Sequence, residues 1–183
     1  GLPELPEVKR ERFVKEYQIT PYDAQILTLE KPMADYFEAA ASKSKAPKLI
    51  ANWIVGELLR ELSEANITIA ECKITPENLT AMVELINNGT INGKIAKTVF
   101  AEMFATGKAP AEIVREKGLV QVSDEGAILK FVEDVIAANP AQVQQFRDGK
   151  TAVLQYLVGQ VMKASRGKVN PQSAIKLLTE KLK

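Results

Sequence analysis

The sequence predicts an all-α protein, and three observations carry that prediction. Apolar residues recur at helical spacing through most of the chain, capping side chains stand directly before prolines, and glycines close the periodic stretches. Leu2-Pro3-Glu4-Leu5-Pro6 reads as an extended lead-in over residues 1–6, because each proline pushes its predecessor out of helical geometry. Thr20-Pro21, Thr75-Pro76, Asn139-Pro140 and Asn170-Pro171 then mark four helix starts. In each, a side-chain oxygen can accept first-turn N–H groups while proline is preorganised for the first helical position. Thr20 and Asp23 approximate a capping box, and Ser123 before Asp124-Glu125 gives a further start with acids at the positive helix end. Between these marks run stripes at i, i+3 and i+4. They are Leu49, Ile50, Trp53, Ile54, Glu57 and Leu58, continued by Leu59 and Leu62; Leu79, Met82, Val83, Leu85 and Ile86; Ile95, Val99 and Met103 with Phe100 and Phe104; and Ile128, Phe131, Val132 and Val135 with Ile136. The clearest is Leu154, Leu157, Val158, Val161 and Met162. These aromatic and methionine stripes read as core. Gly89, Gly107, Gly118, Gly149 and Gly167 read as stops.

Lys117-Gly118 closes one helical stretch and Ser123 opens the next, with Leu119-Val120-Gln121-Val122 as a connector. We therefore expect a helical domain over residues 1–118, followed by a small bundle of three or four helices over 119–183. A unit of that smaller size buries a modest core and should be the less stable half.

The 183 residues include no histidine. That removes Ser-His-Asp and Cys-His nucleophile systems, HExxH zinc sites and Cys2His2 fingers together. Carboxylate pairs, lysine nucleophiles and Mg²⁺ sites remain open, but no phosphate loop, dinucleotide fingerprint or EF-hand loop is present. We expect no catalytic residue, no metal and no cofactor in this stretch. The single cysteine, Cys72, cannot form an internal disulfide. No apolar run approaches a membrane span and no signal peptide opens the chain, so we read it as cytoplasmic, without membrane or DNA partners. Gly1 in place of methionine reads as the edge of a piece of a longer protein.

Charge is the informative feature. The whole chain carries +1, yet residues 149–183 hold seven basic residues against one acid, Glu180, for a net +6. Lys163, Arg166 and Lys168 fall at the end of the clearest helix and in the turn after it, and Asn170 caps the next helix. Three cations and two free N–H groups are expected to converge on one corner suited to phosphate. The bland alternative is that lysines near a helix C-terminus complement its dipole. Gly159, inside that helix beside Tyr156, Gln160 and Lys163, costs helix stability. Either close helix packing or the approach of a ligand backbone accounts for it, packing being the commoner cause.

The run Leu157-Val158-Gly159-Gln160-Val161-Met162-Lys163-Ala164-Ser165-Arg166-Gly167-Lys168-Val169-Asn170-Pro171 strongly resembles the C-terminal signature of the aspartyl/glutamyl-tRNA amidotransferase B subunit. The lead-in with Lys9-Arg10-Glu11-Arg12-Phe13, then Tyr22-Asp23-Ala24, then Leu49-Ile50-Ala51-Asn52-Trp53-Ile54 match in order, so the resemblance covers essentially the whole chain. It implies that 1–118 is that family's helical domain and 119–183 its YqeY-like tail. It further implies a role in holding the elbow side of misacylated Glu-tRNA(Gln) or Asp-tRNA(Asn). The setting would be a heterotrimer whose other members are the amidase, or A subunit, plus a small C subunit. ATP, Mg²⁺ and zinc sites, and the ligase chemistry that yields Gln-tRNA(Gln) or Asn-tRNA(Asn), would belong to an N-terminal domain outside this sequence. The expected tRNA-binding residues are Lys150, Tyr156, Gln160, Lys163, Arg166, Lys168 and Asn170. The family's Gly-Lys corresponds to Gly149-Lys150, and this sequence departs from the family over Thr151–Tyr156. The runner-up is a helical protein–protein docking module without RNA contact.

Overall fold

The computed structural model describes residues 3–119 and 125–183, and among these every regular element is helical. Two compact units result. One comprises residues up to Asn88 together with Ala96–Lys117, and the other comprises Gly89–Ile95 with residues from Gly118 onward.

In the first unit, Leu5 is extended (φ −66°, ψ 144°) and α1 (Pro6–Tyr17) begins at Pro6, one residue earlier than the lead-in predicts. The missing proline N–H is one that a first turn leaves unpaired anyway. Helices α2 (Pro21–Leu27) and α6 (Pro76–Asn87) start as expected. The Thr20 and Thr75 hydroxyls accept from the Asp23 and Asn78 N–H groups at 3.1 and 3.2 Å. Phe13 and Tyr17 pack on Phe37 of α3 (Lys31–Ala41), with ring centroids 5.0 and 5.3 Å away in tilted and edge-on geometry. Buried hydroxyls tie α3 to the α6 region. Tyr36 donates to the Ile74 carbonyl at 2.8 Å, and Thr80 to the Ala40 carbonyl at 2.9 Å. Burial raises the Tyr36 phenol well above its ordinary range.

Helix α4 (Pro47–Trp53) runs through a π-helical turn (Ile54–Leu58) into α5 (Leu59–Ala65). The apolar spacing gives a physical reason for this wider turn. Ile50, Ile54, Leu58 and Leu62 follow one another at steps of four, and all are buried. In an ideal helix each step of four drifts about 40° around the axis, so three steps would swing the stripe away from the core. One turn with an extra residue brings it back. Trp53 from this segment stacks on Phe100 of α7 (Gly93–Thr106) at 5.4 Å, and α8 (Pro110–Lys117) buries Ile113 and Val114.

The second unit holds α9 (Glu125–Ala138), α10 (Pro140–Arg147), α11 (Val153–Ala164) and α12 (Pro171–Leu182), together with the first turn of α7. Its core is aliphatic. Val132, Leu157, Val161, Ala174 and Leu178 are fully buried and Phe131 and Phe146 lie at its margin. Ser123 and residues 120–122 of the connector lie outside the described residues. Asn139 stands before Pro140 but makes no capping bond. Its Nδ2 donates to the Val135 carbonyl at 2.8 Å and its Oδ1 accepts from the Tyr156 hydroxyl at 3.3 Å. A backbone ψ of 55° accompanies this alternative pairing.

The ion pairs of the first unit give a pH prediction. The Arg12 guanidinium donates to Glu4 at 2.8 Å, to Glu38 at 2.6 Å and to Glu16 at 3.2 Å. It holds the Glu4 carboxyl below the usual carboxylate range, as Lys31 does for Asp35. Folded acids with depressed pKa values stabilise the fold fully above their unfolded values of about 4 and lose that contribution as pH falls through the folded ones. Thermal unfolding of the wild type should therefore be level near neutrality and fall in acid. The gap between wild type and Arg12→Met should close as pH drops, and a gap independent of pH would show that these pairs contribute nothing.

Candidate nucleic-acid interface

Helix α11 organises the basic end. Leu157, Val158 and Val161 face the core, which leaves Tyr156, Gly159, Gln160 and Lys163 toward solvent. Gln160 and Lys163 line a shallow cleft of about 460 Å³ with Asp134, Val135, Ala138 and Asn139. Tyr156 joins this surface through its bond to Asn139. The structure thus brings Tyr156, Gln160 and Lys163 to one side, but it adds a carboxylate, Asp134, that charge counting did not place there.

Arg166, Lys168 and Asn170 lie in the turn after α11. That turn is a Schellman closure: Gly167 N–H donates to the Met162 carbonyl at 2.7 Å and Arg166 N–H to the Lys163 carbonyl at 3.1 Å. The left-handed position that glycine normally occupies is held by Arg166, at φ 54°, and Gly167 follows at φ 75°. The helix stop expected at Gly167 therefore falls one residue earlier, on a side chain for which the conformation costs about 1 kcal/mol. Ser165, buried, anchors the turn by donating to the Met162 carbonyl at 3.2 Å.

Asn170 caps α12 as expected, accepting from the Gln172 and Ser173 N–H groups at 2.8 and 3.4 Å. The two N–H groups expected to be free for phosphate are therefore occupied by the cap itself. Lys150 stands apart. It follows the left-handed Gly149 ahead of α11, and the helix from Val153 to Lys163 adds about 15 Å between the two ends. Lys163 is the one cation on α11 and Arg166 and Lys168 stand in its closing turn, so the basic residues fall at the C-terminal end of that helix with Lys150 beyond its other end.

Sequence reasoning missed Asn92 and Lys94. The Asn92 Nδ2 donates to the Gly167 carbonyl at 3.0 Å, across 75 residues, while its Oδ1 caps α7 by accepting from the Ile95 N–H at 2.8 Å. The exposed Lys94 side chain lies over Gly167, so that a Cβ there would meet its end at 3.3 Å. Only the Asn-Gly pairs around residues 88–93 hint at special backbone there, and nothing local points to residue 167. Among the described residues, Lys94, Lys150, Lys163, Arg166 and Lys168 have no carboxylate partner, whereas Lys181 pairs with Glu133 at 3.1 Å.

Comparison with known proteins decides the family. The GatB domain family matches residues 35–182. The chain belongs to the GatB domain family. It is 53% identical over 181 residues to the aspartyl/glutamyl-tRNA(Asn/Gln) amidotransferase B subunit of Carboxydothermus hydrogenoformans, covering 99% of this chain and 38% of that protein. The protein of the same name from Geobacter sulfurreducens is 52% identical over 183 residues, covering 100% of this chain and 38% of that protein. The one from Solidesulfovibrio magneticus is 51% identical over 181 residues, with 99% and 38% covered. The chain thus spans 38% of the length of these curated relatives. No helix among the described residues is long and apolar enough to cross a membrane.

Gly159 is exposed, and a Cβ built on it has nothing within 4 Å. Close helix packing, the commoner explanation, is therefore absent among the described residues. Gly159→Ala should stabilise the second unit by about 0.5–1 kcal/mol in thermal or urea unfolding, and a loss of stability would reveal packing on that face. Arg166→Gly should likewise raise stability, by about 1 kcal/mol, by relieving the left-handed arginine. If it does not, the turn carries no strain.

Proposed function

We propose that this chain is the tRNA-holding part of an aspartyl/glutamyl-tRNA amidotransferase B subunit, working in the cytoplasm with the amidase and the small third member of the heterotrimer. In this reading the second unit holds the elbow side of misacylated Glu-tRNA(Gln) or Asp-tRNA(Asn). The ATP-dependent transamidation takes place on a part of the longer relatives that this chain does not match. The observation that carries the reading is the set of cations without carboxylate partners among the described residues at the end of α11 and in its closing turn, Lys163, Arg166 and Lys168, in a segment of net +6. Phosphates attract such a set through release of condensed counterions, and the elbow of a folded RNA offers backbone shape rather than a readable groove. Tyr156, Gln160 and the Asn170 side-chain amide would add polar contacts, and Lys150 would extend the footprint beyond the opposite end of α11. Among the described residues no three His, Cys, Asp or Glu side chains come together to hold a metal ion.

A second reading concerns the first unit. Tyr22 and Leu29 are about 70% exposed, and Leu29 borders an apolar cleft of about 290 Å³ with Ile26, Met33, Leu62 and Ile69. Such a face suits protein contacts, as a helical docking module requires.

Binding of a labelled tRNA(Gln) transcript at two salt concentrations separates the readings. With about three phosphates neutralised, affinity should fall roughly 20- to 40-fold between about 50 and 200 mM salt. Changing Lys163, Arg166 and Lys168 together to glutamate should abolish binding and slow amide formation in the intact amidotransferase, while Leu29→Asp leaves tRNA affinity unchanged. Absence of tRNA binding at low salt, or unchanged kinetics in the triple variant, would sink the tRNA-holding role.

A further inference from the structure

The segment before α7 reaches the turn after α11 in a way that counterion attraction alone does not explain. Arg166 sits in a left-handed conformation that a β-carbon disfavours, and nothing in its own pairing requires arginine there. Gly167 has a positive φ, which a side chain disfavours, and a Cβ there would lie 3.3 Å from the end of the Lys94 side chain. The carbonyl of Gly167 is held by the Asn92 side chain, whose other end caps α7. One asparagine therefore fixes two things at once: the direction of the strained turn and the first turn of the helix that carries Lys94. Lys94 is exposed, has no carboxylate partner among the described residues, and runs its side chain over the Gly167 backbone. Three cations, Lys94, Arg166 and Lys168, are thus presented from two chain segments 72 or more residues apart, on a turn that is clamped before any ligand arrives.

We infer that Lys94 is a direct ligand of RNA phosphate and that Asn92 is a positioning residue that holds the Arg166–Gly167 turn in its binding geometry. The inference rests on the tRNA-holding reading and adds residues from outside the basic tail to it. A preorganised turn loses less freedom on binding, so its cations contribute more affinity than the same charges on a mobile loop.

The experiment uses the full chain and a fluorescein-labelled, unacylated tRNA(Gln) transcript, with affinity measured as a function of salt. Lys94→Gln should lower affinity several-fold and reduce the salt slope by about 0.7–0.9, the loss of one phosphate contact, with the unfolding midpoint unchanged. Asn92→Ala removes the α7 cap along with the clamp and is a poor test alone. Asn92→Ser keeps a hydroxyl to cap Ile95 but is too short to reach Gly167. It should weaken tRNA binding in the wild-type background and have little further effect once Arg166→Gly has removed the side chain being positioned. A merely structural role for Asn92 would give the same loss in both backgrounds and would overturn its assignment. If Lys94→Gln leaves the slope unchanged while the Lys163, Arg166 and Lys168 triple variant loses binding, the phosphate contact of Lys94 is wrong and the tRNA-holding reading stands. If the wild type shows no salt-dependent binding, the reading fails and this inference fails with it.

Discussion

Burial of Leu157, Val158 and Val161 in an aliphatic core sets the rotation of α11, and what the second unit shows to solvent depends on it. A helix has one azimuth per residue, so fixing three apolar side chains against α9, α10 and α12 leaves no choice about where Tyr156, Gly159, Gln160 and Lys163 point. The same constraint places the helix end. With Val161 inside and Ser165 buried behind it, the chain must reverse at Arg166 and Gly167, and Val169 must return to the core before α12 begins. The basic surface is therefore a by-product of core packing in position and a choice of residue type only in chemistry.

That chemistry is unbalanced. Some cations elsewhere find acids, as Arg12 does with three carboxylates and Arg60, Lys108 and Lys117 do within 3.4 Å, while others such as Lys45, Lys48 and Lys97 do not among the described residues. Exposed pairs of this kind stabilise little, so their absence along α11 costs the fold little. What is gained is a set of charges whose field is not cancelled locally. The nearby acids of the second unit, Glu133 and Asp134 on α9, give the surface a boundary: Asp134 borders the cleft of Lys163, and Glu133 takes up Lys181.

Much of this was legible in the sequence because it depended on local chemistry. Thr20, Thr75 and Asn170 cap helices because a short side-chain oxygen beside a preorganised proline has few better options. Asn139 had a better option: the Val135 carbonyl and the Tyr156 hydroxyl, neither visible from the Asn-Pro pair alone. The stripes at Ile50, Leu79, Val99 and Leu157 reach the core, since periodicity reports one face, while their flanking members Leu49, Leu85, Ile86, Phe104, Leu154 and Met162 stay half-buried at its edge. It did not report the π turn at Ile54–Leu58, which answers an accumulated drift rather than any single residue. Gly167 was visible as a stop, but its left-handed neighbour Arg166 was not, because arginine is not a residue from which that conformation is inferred. Asn92 was beyond reach for a different reason. Its partner is 75 residues away, and only the fold brings the two together.

Two departures from good helix design, Gly159 and Arg166, fall in α11 and the turn that closes it. Each lowers stability by an amount that a single base change could recover, and neither is compensated by a contact among the described residues. One strips the exposed face of α11 to bare backbone, where the closest approach is available to a partner. The other forces a cation out of the helix end at a fixed angle, held by an asparagine from a distant segment. Gly159 is exposed on α11 and Arg166 is exposed in the turn after it, in the segment of net +6. Positions of the same kinds occur in the first unit, at Gly56 in the π-helical turn and at the left-handed Gln18 and Asn66, so what sets Gly159 and Arg166 apart is the basic segment they lie in rather than the helix break itself.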